Sequence, residues 1–187
     1  LAEDADTVHS QPWPAIGQDG DLLTESAGLP FNAVVYTSGT TGKPKGVVRR
    51  PAAPEQRDAM QAGMQLMSRT VYGADSGSVA LLSAPMYHSA TMSFVVHVCN
   101  VGATLVLEPA FEPERTLELM ARHRVTHAYL VPTMYQRLLG LPQAVRGRFD
   151  LSSLQQVSST GSPCPGDLKR QMIDWFGPII TEAYGSS

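Results

Sequence analysis

A polar, glycine-rich segment follows an apolar run early in the chain. It reads Tyr36-Thr37-Ser38-Gly39-Thr40-Thr41-Gly42-Lys43-Pro44-Lys45-Gly46-Val47. Residues 37–47 contain four hydroxyl side chains, three glycines and two lysines. Glycines let backbone N–H groups turn towards a ligand, hydroxyls donate to phosphate oxygens, and lysines supply positive charge. The segment therefore predicts a loop that binds a polyphosphate.

A Walker A loop is the main alternative, because it also binds phosphates. That motif requires a glycine five positions before its Gly-Lys pair and a Ser or Thr directly after it. This chain has Thr37 and Pro44 at those two positions. Pro44 also disfavours helical backbone in the residue before it, so a helix is not expected to start there. The sequence excludes Walker A and leaves an ordinary polar surface loop as the other reading.

The rest of the chain alternates short apolar runs with helical patterns. Strands are predicted at 31–37, 79–84, 103–107, 127–131, 154–159 and 179–183, and helices at 54–69, 113–124 and 165–176. Residues 94–107 indicate a core helix that runs into a core strand. This order predicts an α/β fold with a mostly parallel β-sheet flanked by helices. Because most of the predicted strands are apolar throughout, we expect burial on both faces of the sheet.

Composition and charge restrict the function classes. Lys and Arg number 14 against 17 Asp and Glu, and the net charge of −3 gives no basic field for nucleic acid. The apolar stretch 94–107 is shorter than the roughly 20 residues of a membrane span. Cys99 and Cys164 are far apart and form no CxxC motif, which favours a reducing, cytoplasmic location.

The domain organisation is predicted from the same composition. Residues 1–30 hold six acidic residues and no Lys or Arg, and their Pro and Gly content predicts a loop-rich N-terminal segment. Residues 31–187 form the predicted α/β core. The chain starts with Leu1 and stops after Ser187, so we expect it to be part of a larger protein.

Five segments in order resemble one family. Tyr36–Val47 resembles the signature loop of the adenylate-forming superfamily, which includes acyl-CoA synthetases, luciferases and the adenylation domains of peptide synthetases. Pro85–Ala90 is similar to the family's aromatic/His motif, and Val131–Met134 to a stretch common in acyl-CoA ligases. Ser159–Pro163 resembles the Gly-Ala-Pro adenine loop, and Tyr184–Ser187 the opening of the Tyr-Gly-x-Thr-Glu motif. The chain is thus similar to a middle part of the family's large N-terminal domain.

The resemblance implies an enzyme that activates a carboxylic acid with ATP and Mg²⁺, releases pyrophosphate, and passes the acyl group from AMP to coenzyme A. It assigns the phosphates to the loop and to Ser187, and magnesium to Thr37. The adenine ring is assigned to Tyr184 and the Gly161 backbone, and Glu182 either accepts from the adenine amino group or faces solvent. The implied nucleotide-binding residues are Thr37, Ser38, Gly39, Thr40, Thr41, Gly42, Lys45, Gly161, Ser162, Pro163, Glu182, Tyr184, Gly185 and Ser187.

The resemblance also implies an acid pocket and catalytic groups. Lys45 and His88 are the implied catalytic residues, and the pocket is formed by His88, Ser159, Thr160 and Gly161. Thr160 replaces a small glycine of many relatives, so we expect medium-chain, branched or ring-bearing acids rather than very long straight fatty acids. Such acids belong to fatty acid metabolism in the broad sense.

Three alternatives remain open. The acceptor is either coenzyme A or the phosphopantetheine of a carrier protein. The isolated chain is expected to bind nucleotide without turnover, because the family's magnesium-binding Glu and catalytic Lys are not in it. An oligomer is compatible with the sequence.

His123 and His127 have i, i+4 spacing, but they straddle a predicted helix end and strand start, so we expect structural roles rather than a zinc site.

Overall fold

A computed structural model describes residues 34–37, 45–48 and 53–184. The chain divides into two units, Leu1–Pro51 and Ala52–Ser187. In the first unit, strands β1 (Val34–Thr37) and β2 (Lys45–Val48) pair as an antiparallel hairpin. β1 confirms part of the strand predicted at 31–37, whereas β2 was not predicted. The predicted N-terminal segment 1–30 lies outside the described residues.

The second unit is a five-stranded parallel sheet with helices, which confirms the predicted fold class. Its strands are β3 (Val79–Leu82), β4 (Thr104–Leu107), β5 (His127–Tyr129), β6 (Gln156–Ser159) and β7 (Ile180–Glu182), in the spatial order β4-β3-β5-β6-β7. A short 3-10 turn (Pro54–Gln56) precedes the helices, which are α1 (Arg57–Thr70), α2 (Ser89–Asn100), α3 (Pro113–Arg122), α4 (Pro132–Leu139), α5 (Gln143–Arg146) and α6 (Gly166–Phe176). In the described part of the chain, no helix has the length and apolarity needed to cross a membrane.

The helix ends follow the local sequence. The Glu112 carboxylate accepts the backbone N–H of Arg115 at 2.7 Å, and Pro113 occupies the first turn of α3, where its missing N–H costs nothing. α6 ends at Gly177, as predicted, with φ +87° and its N–H donating to the carbonyl of Ile173. A left-handed φ of this kind is accessible to glycine and strained for other residues.

The core lies on both faces of the sheet. Leu81, Ala128 and Val157 pack with side chains of α3, α4 and α6 on one face, and Ala80, Leu82 and Tyr129 pack with α2 on the other. The alternation follows from the strand period of two. Burial on both faces is confirmed for β3 and β5, but it is wrong for β4 and β7. Among the described strands these two lie at the edges of the sheet, and several of their residues are exposed.

Helix α4 was not predicted. Its first residues lie within Val131–Met134, which the sequence indicates as a family motif without predicting a helix there. The side chains of Met134, Tyr135 and Leu138 are buried and lie at helical spacing. Pro132 at the first helical position is the signal that would have located the helix.

Two buried histidines lie on α2 and on β5. His97 on α2 is 8% exposed, its Nδ1 lies 3.0 Å from the Ser68 hydroxyl of α1, and its ring stacks on Tyr72. Burial lowers the pKa of His97, and a hydrogen bond with the Met64 backbone raises it by a smaller amount. His127 is 2% exposed, and burial lowers its pKa as well. Burial therefore favours the neutral form of both rings.

We expect the free energy of unfolding of this chain to fall as pH decreases from about 6.5. The pKa of each folded-state ring lies below the unfolded value, so acid protonates the unfolded chain first. The stabilisation is complete above the unfolded pKa and is lost as pH falls towards the folded pKa. Urea titrations at about pH 7.5 and about pH 5 measure the difference.

The variant His97→Gln should reduce this pH dependence, because a glutamine can still face Ser68 but does not titrate. His123→Gln is the matched control, since His123 is exposed at the end of α3. The explanation is wrong if H97Q retains the wild-type difference between the two pH values, or if H123Q removes it.

Candidate active site

The carboxyl ends of the parallel strands bring four motif segments to one edge of the sheet. Residues 85–88 follow β3, 131–133 follow β5, 160–163 follow β6, and 183–184 follow β7. The chain connections change direction between β3 and β5, because β4 lies on one side of β3 and β5 to β7 lie on the other. Parallel α/β sheets bind ligands outside their carboxyl ends at such a switch point. This edge is therefore the candidate site.

His88 is held on a fixed turn at this edge. It is the residue before α2, and its backbone is extended with φ −78° and ψ 136°. The Thr91 hydroxyl lies 2.6 Å from the carbonyl oxygen of Pro85 and 2.7 Å from that of His88. The His88 side chain is exposed, and its ring centroid lies 4.5 Å from that of Tyr87. The structure thus presents the predicted imidazole to solvent on an anchored backbone.

The segment after β6 combines an open loop with a buried polar floor. Gly161 has φ +95°, and a Cβ built there would have no atom within 4 Å. Ser162 and Pro163 are exposed, whereas Ser159 is 1% exposed. Among the described residues, the space next to the Gly161 Cα is therefore open.

Tyr135 of α4 lies beneath this segment and was missed by sequence reasoning. It is fully buried, and this burial raises the pKa of Tyr135 to about 12. The nearby Ser159 hydroxyl has the opposite, smaller effect on this pKa. Neither hydroxyl makes a hydrogen bond of normal geometry with any residue that the structure describes. Ser83, the residue after β3, is 3% exposed and also carries an unpaired hydroxyl by the same criterion. Buried polar groups without a hydrogen-bond partner are uncommon in folded proteins, and three such groups of the described residues lie at this edge.

The end of β7 carries Glu182 and Tyr184. Tyr184 is fully exposed, so its ring is accessible for stacking. Both oxygens of the Glu182 carboxylate already accept hydrogen bonds, from the backbone N–H of Cys164 and from the ammonium group of Lys169. Hydrogen bonding to Lys169, and then to Cys164, lowers the pKa of Glu182. Cys164 and Lys169 were not predicted as site residues, since neither stands in a recognisable motif.

The predicted phosphate loop belongs to the first unit and is described only at its ends. Thr37 and Lys45 are register partners in the β1–β2 hairpin, and the Lys45 side chain is exposed. The fold therefore brings the predicted magnesium-site threonine and the predicted phosphate lysine to opposite positions across two strands. Five further predicted nucleotide residues, 38–42, lie outside the described residues, as do Gly185 and Ser187.

Other candidate groups lie apart from this edge. The His127 Nδ1 lies 2.8 Å from the Thr126 hydroxyl, which fits the structural role expected for His127, whereas His123 is exposed at the end of α3. The described residues hold no group of three or more His, Cys, Asp or Glu side chains arranged to bind a metal. A cavity of about 470 Å³ between α5 and α6 is lined by Arg146 and Trp175. It lies towards the amino end of the sheet and contains none of the motif residues.

A profile of one family covers most of the chain. The profile described as AMP-binding enzyme matches residues 31–187. The chain belongs to this family. Membership confirms the resemblance to adenylate-forming enzymes, and it places the whole described sheet within the matched region.

Curated relatives and solved structures agree with this assignment. The chain is 33% identical over 153 residues to feruloyl-CoA synthase of Amycolatopsis sp, covering 81% of this chain and 29% of the relative. It is 31% identical over 186 residues to the medium/long-chain-fatty-acid–CoA ligase FadD8 of Mycobacterium tuberculosis, and the match covers 98% of this chain and 29% of the relative. The ATP-bound structure of MatB from Rhodopseudomonas palustris superposes with a TM-score of 0.63 at 27% identity, covering 82% of this chain and 28% of that one. The chain thus spans less than a third of the length of these proteins.

Proposed function

We propose that the parent protein of this chain is an acid–thiol ligase that activates a hydrophobic carboxylic acid with ATP and transfers the acyl group to coenzyme A. The observation that carries the proposal is the convergence of the His88, Gly161 and Tyr184 segments at the carboxyl edge of one parallel sheet. The names of the two curated relatives, both CoA-linked enzymes, support the reaction class.

The first step joins two anions, and the site must offset their repulsion. A carboxylate oxygen attacks the α-phosphorus of ATP, the bond to the leaving pyrophosphate breaks, and an acyl-adenylate forms. Lys45 supplies positive charge to the β- and γ-phosphates, and the hydroxyls of Thr37, Ser38, Thr40 and Thr41 add hydrogen bonds. Holding both reactants in line removes much of the remaining barrier.

The adenine ring is proposed to lie between Tyr184 and the loop after β6. The exposed ring of Tyr184 offers a stacking surface, and the open backbone at Gly161 and Ser162 offers hydrogen-bonding groups to the base edge. Both groups follow neighbouring strands of the sheet, β6 and β7. A rigid sheet edge of this kind presents the base in one orientation.

The acid is proposed to bind beside His88, Ser159 and Thr160. In the second step the thiol sulfur attacks the acyl carbon, the bond from that carbon to the phosphate oxygen breaks so that AMP leaves, and the thiol proton passes to solvent. The exposed His88 imidazole, on its anchored turn, lies at the edge where the acid carboxylate would meet the thiol. Thr160 narrows the pocket relative to a glycine, which favours medium-chain, branched or ring-bearing acids. The ring of a feruloyl group and a medium-length chain both belong to this class.

Magnesium remains a prediction at Thr37. The threonine lies at the end of β1, and the residues that the structure describes contain no carboxylate cluster that would complete a site. When bound, the ion would neutralise phosphate charge. The isolated 187-residue chain is proposed to bind nucleotide without turnover, because it spans only 29% of its curated relatives.

The test is carboxylate-dependent release of pyrophosphate by the parent protein. A panel of medium-chain, branched, aromatic and very long straight acids is assayed with ATP, and coenzyme A and a phosphopantetheine carrier protein are then offered separately. We expect pyrophosphate release with the first three classes and thioester formation with coenzyme A. If none of the acids in the panel supports pyrophosphate release, the proposed activity is overturned. If the acyl group is transferred only to the carrier protein, the carrier is the acceptor.

A further inference from the structure

One carboxylate links three elements at the end of β7. Glu182 is the last residue of the strand, and its Oε1 accepts the backbone N–H of Cys164 at 3.1 Å. Its Oε2 accepts from the ammonium group of Lys169, in the first turns of α6. The carboxylate therefore joins β7 to the loop after β6 and to the helix that follows that loop. We call Glu182, Lys169 and the Cys164 N–H the loop clamp.

Two attachments to β7 hold the segment Thr160–Pro163, one at each end, and the loop clamp supplies the second of them. Ser159 is the register partner of Glu182, and its carbonyl oxygen accepts the N–H of Ala183 at 2.9 Å. The Glu182 side chain then holds Cys164 on the far side of the loop. The four residues between these two attachments include Gly161, which has φ +95° and at which a Cβ would meet no described atom within 4 Å. The two attachments therefore fix where this loop leaves and rejoins the sheet and α6.

The Glu182–Lys169 pair differs from the other ion pairs of the described residues. The side chains of Glu182 and Lys169 are 29% and 34% exposed. The side chains of the control pair on α6, Asp167 and Arg170, are 86% and 71% exposed. Exposed pairs contribute little because water screens them. The more sheltered pair also bonds a backbone N–H, which the Asp167 pair does not do. Its geometry thus fits the positioning of a loop, and the exposed pair provides a matched control.

We propose that Glu182 and Lys169 are positioning residues that hold the Thr160–Pro163 loop and Tyr184 in the arrangement that receives the adenine ring. This inference rests on the proposed function. It gives Glu182 a role through the loop rather than through a direct bond to the adenine amino group. Tyr184 lies two residues beyond Glu182, so the same clamp fixes the strand end from which the tyrosine ring projects.

The experiment compares variants of the parent protein by their affinity for AMP, measured by calorimetry, and by their thermal unfolding. Glu182→Gln keeps an oxygen for the Cys164 N–H but loses the ion pair. The double exchange Glu182→Lys with Lys169→Glu keeps an ion pair but loses the acceptor for Cys164. Lys169→Arg keeps both bonds. Asp167→Asn removes the control pair on α6.

We expect the double exchange to raise the dissociation constant of AMP by roughly tenfold, E182Q to raise it less, and K169R and D167N to leave it near the wild-type value. The KM for ATP should rise in the same variants as the dissociation constant of AMP, while kcat at saturating ATP should change little. A structural role alone would lower the unfolding temperature without changing AMP affinity.

Two results separate the clamp from the proposed function. If the wild-type protein binds AMP and all clamp variants bind it equally well, the clamp proposal is overturned and the function stands. If the wild-type protein binds neither AMP nor ATP, both are overturned. Should the double exchange fail to fold, Glu182→Met with Lys169→Met provides the comparison, because this pair of substitutions removes the acceptor for Cys164 and leaves no unpaired charge.

Discussion

Replacing Lys45 by alanine in the parent protein should weaken ATP binding by about tenfold to hundredfold and leave AMP binding nearly unchanged. Lys45 lies at the start of β2 opposite Thr37, with an exposed side chain. A charge-assisted contact between its ammonium group and the β- or γ-phosphate contributes roughly 1.5 to 3 kcal/mol. AMP has no β-phosphate, so it loses none of this.

Lys43→Ala is the matched control for Lys45→Ala, since it removes the same charge two positions earlier in the same loop. Both nucleotides are titrated against each variant, and circular dichroism compares their folding with that of the wild-type protein. We expect the smaller effect for K43A. Equal losses of ATP and AMP affinity in K45A would mean that the lysine supports the loop itself rather than the phosphates.

The sequence predicted the fold well because its strands are short apolar runs with clear boundaries. β3, β5 and β6 all fall inside predicted strands, and α3 and α6 carry the end signals that were used to locate them. β2 could not be predicted in the same way. Its residues include Lys45 and Gly46, and pairing with β1 rather than intrinsic preference makes them a strand.

The candidate site was predicted in part, for a physical reason. Motif residues such as His88 and Gly161 follow strands, so any parallel sheet carries them to one edge. Tyr135 and Lys169 reach the same edge from helices, and their roles depend on distances between elements far apart in sequence. No local pattern contains that information. Glu182 illustrates the limit, because its partners Cys164 and Lys169 are 18 and 13 residues away.

The substitution Gly161→Ala should weaken AMP and ATP binding by about tenfold, and by similar factors for the two nucleotides. A Cβ at residue 161 would meet no atom of the described residues within 4 Å, so it would enter the open space proposed for the adenine edge. It would also strain the backbone, because φ is +95° there and a side chain at positive φ costs roughly 1 to 2 kcal/mol. The affinity loss arises from the first effect and the stability loss from the second.

Gly177→Ala separates these two effects. Gly177 also has a positive φ, +87°, and a Cβ there would likewise meet no atom within 4 Å, but it ends α6 rather than following a strand. We expect G177A to lower the unfolding temperature at least as much as G161A does, without changing nucleotide affinity. Calorimetric titration and thermal unfolding of both variants measure the two quantities. If G161A binds AMP as tightly as the wild-type protein, the loop after β6 does not contact the base. If G177A loses the same affinity, strain alone accounts for the effect.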